Sequence, residues 1–217
     1  FASSSVSSKS KREIKQIYTP LHGVGKKVFL DVFEKAGFEN PTVVESQAEP
    51  DPDFPTVSFP NPEEEGALDL AVGLAIEKNA DLVIANDPDA DRLAIVARHG
   101  NKWRHLNGNE IGVLLAEHIL SKEQEEDRLV VTTVVSSRLL SKIADFHKVK
   151  YAETLTGFKW IVRPGIEDKS SRFVFGYEEA LGFALGDSVR DKDGITSALV
   201  FAELAAELKS EDKTVVD

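Results

Sequence analysis

Three aspartates occupy alternate positions in a short loop and are followed directly by an arginine: Asp87, Asp89, Asp91 and Arg92. Carboxylates at such spacing can converge on one hard cation, and Mg²⁺ prefers oxygen ligands of this kind. Without an ion, the three negative charges would repel one another. Apolar residues flank the loop on both sides, which indicates a connection between two core strands rather than a solvated acidic turn. The sequence therefore predicts a Mg²⁺ site at the three aspartates.

Two other motifs can be tested against the acidic loop. An EF-hand requires Gly at the sixth position and Glu at the twelfth, but Arg92 and Arg98 stand there. A phosphatase that forms an aspartyl-phosphate also places Asp-x-Asp after a strand, with Asp87 as the nucleophile. The first alternative is excluded, while the phosphatase remains open at this point.

The glycines Gly23 and Gly25 stand before a lysine and suggest a phosphate loop. A P-loop needs Ser or Thr after that lysine, and a dinucleotide fingerprint needs a third glycine three residues after Gly25. Lys27 and Val28 occupy those two positions. The glycines therefore predict only a tight turn between a strand and a helix, close to the cleft.

Five further segments are distinctive in composition, order and spacing. They are Tyr18–Gly25, Pro60–Glu63, Thr154–Ile161, Phe175–Gly182 and Arg190–Gly194. Together with the acidic loop, they resemble motifs of the phosphohexomutase superfamily, which includes phosphoglucomutases, phosphomannomutases and a phosphopentomutase-like branch. The resemblance extends over nearly the whole chain and implies a phosphosugar substrate, a sugar bisphosphate intermediate and Mg²⁺.

The resemblance also implies roles for individual residues. Arg92 is expected to stabilise charge on the transferring phosphoryl group, and Lys159 to attract phosphate or move a proton. Substrate-binding roles are implied for five residues: Thr156, Gly157, Glu178, Glu179 and Arg190. We expect Glu178, rather than its neighbour, to face the sugar hydroxyls. Ala180 stands where most members have Ser, so glucose, mannose and pentose phosphates all remain candidate substrates.

Composition limits the kind of partner. The 217 residues are 41% hydrophobic and carry a formal charge of −11, which argues against nucleic acid. No apolar run approaches the ~18 residues that cross a bilayer, so no membrane association is expected. The absence of cysteine excludes disulfides and zinc thiolate sites. We expect a soluble, cytoplasmic protein.

Strands and helices alternate along the sequence. Apolar patterns predict strands over 14–18, 42–45, 81–86, 93–98, 129–135, 149–155 and 172–177. Helices are predicted over 26–36, 63–79, 109–120, 138–147 and 194–209, with a helix start at 157–163 and a solvated connector at 121–128. This alternation favours an α/β fold of two consecutive three-layer domains with mixed, mostly parallel sheets. We predict a linker or tail at 1–13, a metal-binding domain at 14–106 and a sugar-binding domain at 107–217.

The serines near the amino terminus lie in a polar stretch without the motif that carries the family's phosphoserine. With no methionine in the sequence, we expect the chain to be the central part of a mutase whose first and last domains are its missing partners. Such a fragment is expected to be inactive alone. A Mg²⁺-dependent phosphatase and a non-catalytic phosphosugar-binding module are the alternative functions.

Overall fold

A five-stranded mixed sheet organises the first half of the chain in the computed structural model, which describes residues 13–122 and 125–217. Its strands are β1 (Gln16–Thr19), β2 (Thr42–Val43), β3 (Leu82–Ala85), β4 (Ala94–His99) and β5 (Lys102–Leu106), in the order β2-β1-β3-β4-β5. β1 is parallel to β2 and β3, whereas β4 is antiparallel to β3 and β5. The helices are α1 (Lys26–Lys35) and α2 (Asp69–Glu77).

A second mixed sheet of four strands follows. It contains β6 (Arg128–Thr133), β7 (Lys150–Thr154), β8 (Arg172–Glu178) and β9 (Gly182–Leu185), in the order β7-β6-β8-β9. β6 is parallel to β7 and β8, and β9 is antiparallel to β8. Its helices are α3 (Gly108–Lys122), α4 (Leu139–His147), α5 (Phe158–Ile161), α6 (Arg163–Glu167) and α7 (Gly194–Ser210). The predicted α/β class with mixed sheets is confirmed.

The two sheets share one hydrophobic core. Phe29 of α1 stacks on Tyr18 of β1 with ring centroids 3.7 Å apart, and both belong to the same buried cluster as Phe175 and Phe201. α7 contacts α1 as well as α3 and β9. Lys209 of α7 also lies 2.6 Å from Asp81 at the start of β3. α7 therefore connects the two halves, and the division into domains at 106 and 107 stays a prediction.

Several element boundaries differ from the predictions. The predicted helix over 63–79 is wrong in its first part, because turns precede α2 and Gly66 has a φ of +80°. The strand over 42–45 gives way to a short 3-10 helix at Glu45–Gln47. The helix start at 157–163 divides into α5 and α6, and strands β5 and β9 were not predicted.

The prediction of a solvated connector over 121–128 is wrong at both ends. Its first two residues belong to α3, and Arg128 is buried at the start of β6, where it donates to the carbonyl oxygen of Leu120 at 3.0 Å. Of the predicted tail, residues 1–12 lie outside the described residues, and so do the serines discussed above. No helix in the described ranges has the length and apolar character needed to cross a membrane.

Candidate functional site

The acidic loop follows β3 and is closed by a buried asparagine. The Tyr18 hydroxyl donates to Oδ1 of Asn86 at 3.1 Å, and Nδ2 of Asn86 donates to the carbonyl oxygen of Arg92 at 2.6 Å. Because Asn86 is fully buried, these bonds compete with little solvent. The asparagine amide therefore fixes both ends of the loop that carries the three aspartates.

The three aspartates lie close enough to share one cation. Asp87, Asp89 and Asp91 each offer a carboxylate oxygen within 4.8 Å of the others. Opposite oxygens around Mg²⁺ lie about 4.2 Å apart, twice a metal–oxygen distance of about 2.1 Å. The three carboxylates could therefore hold one metal ion, and the assignment of that ion to Mg²⁺ stays a prediction.

Asp87 is the most enclosed of the three, with a side chain that is 13% exposed. Burial raises the pKa of Asp87 to about 6, and the negative charges of Asp91 and Asp89 act in the same direction. The backbone N–H of Arg92 opposes this rise by donating to Oδ1 of Asp87 at 2.9 Å. A bound cation would favour the ionised carboxylate, so metal binding and deprotonation of Asp87 are linked.

Arg92 lies between carboxylates of two different segments. Its Nε is 3.6 Å from Oδ2 of Asp87 and 4.0 Å from Oδ1 of Asp91, while its Nη1 is 3.8 Å from Oε2 of Glu63. Glu63 was not predicted as a site residue, although it ends the Pro60–Glu63 segment that carried part of the resemblance. That segment also lines one cavity with the acidic loop, through Pro60 and Asn61.

The second half of the chain contacts the acidic loop directly. Nζ of Lys192 lies 2.8 Å from Oδ2 of Asp91, and the backbone N–H of Leu93 donates to the carbonyl oxygen of Leu181 at 3.1 Å. Burial lowers the pKa of Lys192, but its hydrogen bond to Asp91 and the nearby negative charges outweigh this, so the pKa is raised. Lys192 was not predicted as a site residue, although it lies in the Arg190–Gly194 segment.

Two glycines allow backbone segments to approach the acidic loop. A Cβ atom on Gly23 would lie 2.3 Å from backbone atoms of Pro88, and one on Gly194 would lie 2.2 Å from the carbonyl oxygen of Arg92. The backbone N–H of Gly194 donates to the carbonyl oxygen of Ala90 at 3.1 Å. The turn after β1 therefore reaches the loop, as predicted, and the amino end of α7 packs on its other side.

Glu178 is the last residue of β8 and Glu179 follows it, and the two side chains have different surroundings. Glu178 is 7% exposed, and burial raises the pKa of its carboxyl, opposed by the charge of Lys192 and the backbone N–H of Gly157. Glu179 is half-buried, and its Oε2 accepts hydrogen bonds from the hydroxyls of Thr133 and Ser136. The expectation that Glu178 is the one that faces a sugar stays a prediction, since Glu179 is the more exposed of the two.

The remaining predicted residues lie at different distances from this cluster. Gly157, with φ of 109°, precedes α5 and reaches Glu178, whereas Thr156 and Lys159 are exposed. Nζ of Lys159 lies 5.7 Å from the centroid of the Trp160 ring. Arg190 is also exposed and lines a separate cavity with Arg172 and Phe173 at the start of β8. The structure thus brings the two glutamates near Arg92, Lys192 and Glu63, with Gly157 beside Glu178, but among the described residues it shows no such contact for Arg190.

Both halves of the chain are similar to known proteins of one family. A family model described as phosphoglucomutase/phosphomannomutase, alpha/beta/alpha domain II, matches residues 1–100, and the corresponding model for domain III matches residues 107–217. A probable phosphomannomutase of Haemophilus influenzae is 47% identical, over 94% of this chain and 41% of the relative. The phosphopentomutase of Homo sapiens is 39% identical, over 92% of this chain and 35% of the relative.

A solved structure shows the same fold. The crystal structure of a putative phosphomannomutase from Thermus thermophilus superposes with a TM-score of 0.76 at 23% identity, over 96% of this chain and 45% of that one. The chain therefore spans less than half the length of each of these three proteins.

Proposed function

Because this chain belongs to the phosphoglucomutase/phosphomannomutase family, we propose that it supplies the metal-binding and sugar-binding parts of a Mg²⁺-dependent phosphosugar mutase. The reaction moves a phosphoryl group between two hydroxyls of one sugar, through a sugar bisphosphate and a phosphoserine. The curated relatives include enzymes named for mannose, ribose, pentose and glucose phosphates. The substrate is therefore proposed only as a hexose or pentose phosphate.

One observation carries the proposal: the acidic loop and Arg92 of the first half meet Lys192 and the Glu178–Glu179 segment of the second half in a single cluster. Phosphoryl transfer depends mainly on positioning and on stabilising negative charge. Sugar recognition requires oriented hydrogen-bond acceptors next to that charge. The cluster contains groups suited to both tasks.

The carboxylates of Asp87, Asp89 and Asp91 would hold the metal. When bound, Mg²⁺ supplies positive charge that stabilises the transferring phosphoryl group. Arg92 is held near the same place by Asp87 and Glu63, so that its guanidinium can contact phosphate oxygens in a fixed orientation. Lys159 is exposed two residues after Gly157, where an anionic substrate could reach its ammonium group.

The sugar would be oriented by carboxylates at the end of β8. A carboxylate can accept two hydrogen bonds from neighbouring hydroxyls, which fixes the rotation of the ring. Glu178 and Glu179 both lie beside the cluster, and Thr156 and Gly157 lie on the adjacent loop. Arg190 is proposed to bind substrate on its segment's similarity to the family alone.

The proposal is tested in the Haemophilus influenzae relative, by replacing the region it shares with this chain by the present sequence. The chimera is expected to interconvert sugar 1-phosphates with Mg²⁺, and glucose, mannose and ribose phosphates are offered separately. Asp89→Asn in the chimera is expected to abolish turnover. A folded chimera that is inactive on all three sugars would contradict the proposal.

The isolated chain provides the second arm of the test. It is expected to bind Mg²⁺ but to show no mutase turnover, because its sequence does not contain the phosphoserine motif of the family. Release of inorganic phosphate by the chain alone, lost in Asp87→Asn, would instead indicate a phosphatase with Asp87 as its nucleophile.

A further inference from the structure

Two hydroxyl groups converge on one oxygen of Glu179. The Ser136 hydroxyl lies 2.9 Å from Oε2, and the Thr133 hydroxyl lies 3.2 Å from the same atom. The two hydroxyl oxygens are 2.7 Å apart. These three oxygens form three close pairs but have only two hydroxyl protons between them. The carboxylate oxygen has no proton to donate, so it is the final acceptor. Hydrogen bonds to an ionised acceptor are stronger than those between neutral groups.

The segment that carries Ser136 is itself fixed. The backbone N–H of Ser137 donates to Oδ1 of Asn109 at 2.7 Å, and the Tyr177 hydroxyl donates to the same oxygen at 3.2 Å. Thr133 is buried at the end of β6, and the N–H of Ser136 donates to its carbonyl oxygen at 3.1 Å. Because α3, β6 and β8 all hold this segment, the hydroxyls are in place before any ligand arrives.

The two oxygens of Glu179 therefore differ. Oε2 is occupied by protein donors, whereas Oε1 accepts no hydrogen bond from the described part of the chain. We propose that Ser136 and Thr133 are positioning residues that hold Glu179 by Oε2 and so present Oε1 to a hydroxyl of the sugar. This inference rests on the proposed function, and it adds a specificity element outside the Glu178–Glu179 segment.

Calorimetric titration of the chain with Mg²⁺ and glucose, mannose or ribose 1-phosphate tests the proposal. For the sugar phosphate that binds, Ser136→Ala is expected to weaken binding about tenfold, the scale of one hydrogen bond to a charged group. Binding of inorganic phosphate, which has no sugar hydroxyl, is expected to be unchanged. Ser136→Thr, which keeps the hydroxyl, is expected to restore most of the affinity.

Two controls separate positioning from a general loss of structure. Ser137→Ala removes the neighbouring hydroxyl, whose one side-chain hydrogen bond within residues 13–122 and 125–217 is accepted from the N–H of Leu139, and is expected to bind as the unaltered chain does. The double variant Ser136→Ala with Glu179→Gln is expected to bind no worse than Glu179→Gln alone, since Ser136 acts through Glu179. Additive losses, or an equal loss of inorganic phosphate binding, would overturn the proposal.

A crystal structure of the variant with Ser136→Ala and Thr133→Val provides a readout that needs no ligand. The Glu179 carboxylate is expected to leave its position beside β6, and the proposal is overturned if the carboxylate stays there. Failure of the unaltered chain to bind any of the three sugar phosphates would contradict the proposed function. The crystallographic result then decides the positioning role separately.

Discussion

Gly194→Ala is expected to destabilise the chain because the amino end of α7 packs against the acidic loop without space for a methyl group. The new Cβ would lie 2.2 Å from the carbonyl oxygen of Arg92, 2.5 Å from Nδ2 of Asn86 and 2.8 Å from the carbonyl oxygen of Ala90. Two of these atoms belong to the backbone, so rotation of a side chain cannot relieve the contact. The loop and the helix must move apart.

The magnitude follows from what this movement costs. Overpacking of a close contact costs about 1–3 kcal/mol. Separation also weakens the hydrogen bond from Gly194 to Ala90, and that from Asn86 to Arg92, each worth about 1 kcal/mol. We therefore expect Gly194→Ala to lower the free energy of unfolding by about 2–4 kcal/mol. Because the same movement displaces the aspartates, Mg²⁺ affinity should fall as well.

Gly73→Ala is the matched control. Gly73 lies inside α2, and a Cβ atom there would meet nothing within 4 Å. Alanine is favoured over glycine in a helix by about 0.5–1 kcal/mol, so this variant should be slightly more stable. Urea denaturation of both variants, followed by circular dichroism, measures the two changes, whose signs should be opposite. A Gly194→Ala chain as stable as the unaltered one would refute the packing argument.

Other changes at the site have expected outcomes of their own. Because the pKa of Asp87 is about 6 in the folded chain and 3.8 as the ordinary value, the neutral carboxyl is favoured by folding. In the absence of metal, the stability that the neutral Asp87 carboxyl contributes is therefore present below pH ~4 and lost as the pH rises to ~6. Asp87→Asn should remove this pH dependence of the free energy of unfolding, measured by denaturation between pH ~4 and ~6. Mg²⁺ affinity should change in the opposite sense and fall below pH ~6, as followed by calorimetry. Asp193 accepts hydrogen bonds from the N–H groups of Ile195 and Thr196, so Asp193→Ala should cost about 1 kcal/mol in urea denaturation, and Asp193→Ser much less. Asp89→Asn should abolish Mg²⁺ binding in the calorimeter without a loss of stability, because this side chain is exposed.

Local sequence predicted those parts of the site that depend on neighbouring residues. The acidic loop requires only an apolar strand, three alternating aspartates and a second strand, and all of these are contiguous. The start of α7 at Gly194 was also predicted correctly, because the residue that caps this helix, Asp193, directly precedes it. Such features are visible because their causes lie within a few residues of one another.

Contacts between distant segments could not be predicted in this way. Lys192 meets Asp91 only after the two halves of the chain have packed together. Ser136 meets Glu179 only because β6 and β8, which are distant in sequence, pair in one sheet. The start of α2 was misplaced because the three glutamates from Glu63 suggested a helix, while Gly66 adopts a left-handed conformation that interrupts it. Here the local preference for a helix did not decide the structure, because the sequence pattern does not reveal the backbone conformation of Gly66.

The charge of the cluster links metal binding to sugar phosphate binding. Arg92 and Lys192 are already engaged by Asp87 and Asp91, and Glu63 adds a further negative charge beside them. The raised pKa of Glu63, caused first by burial and then by nearby carboxylates against the charge of Arg92, reflects the same crowding. A phosphate dianion entering this cluster alone would meet mainly repulsion. A bound divalent cation offsets two of these negative charges, so each ligand should strengthen the binding of the other by the same factor.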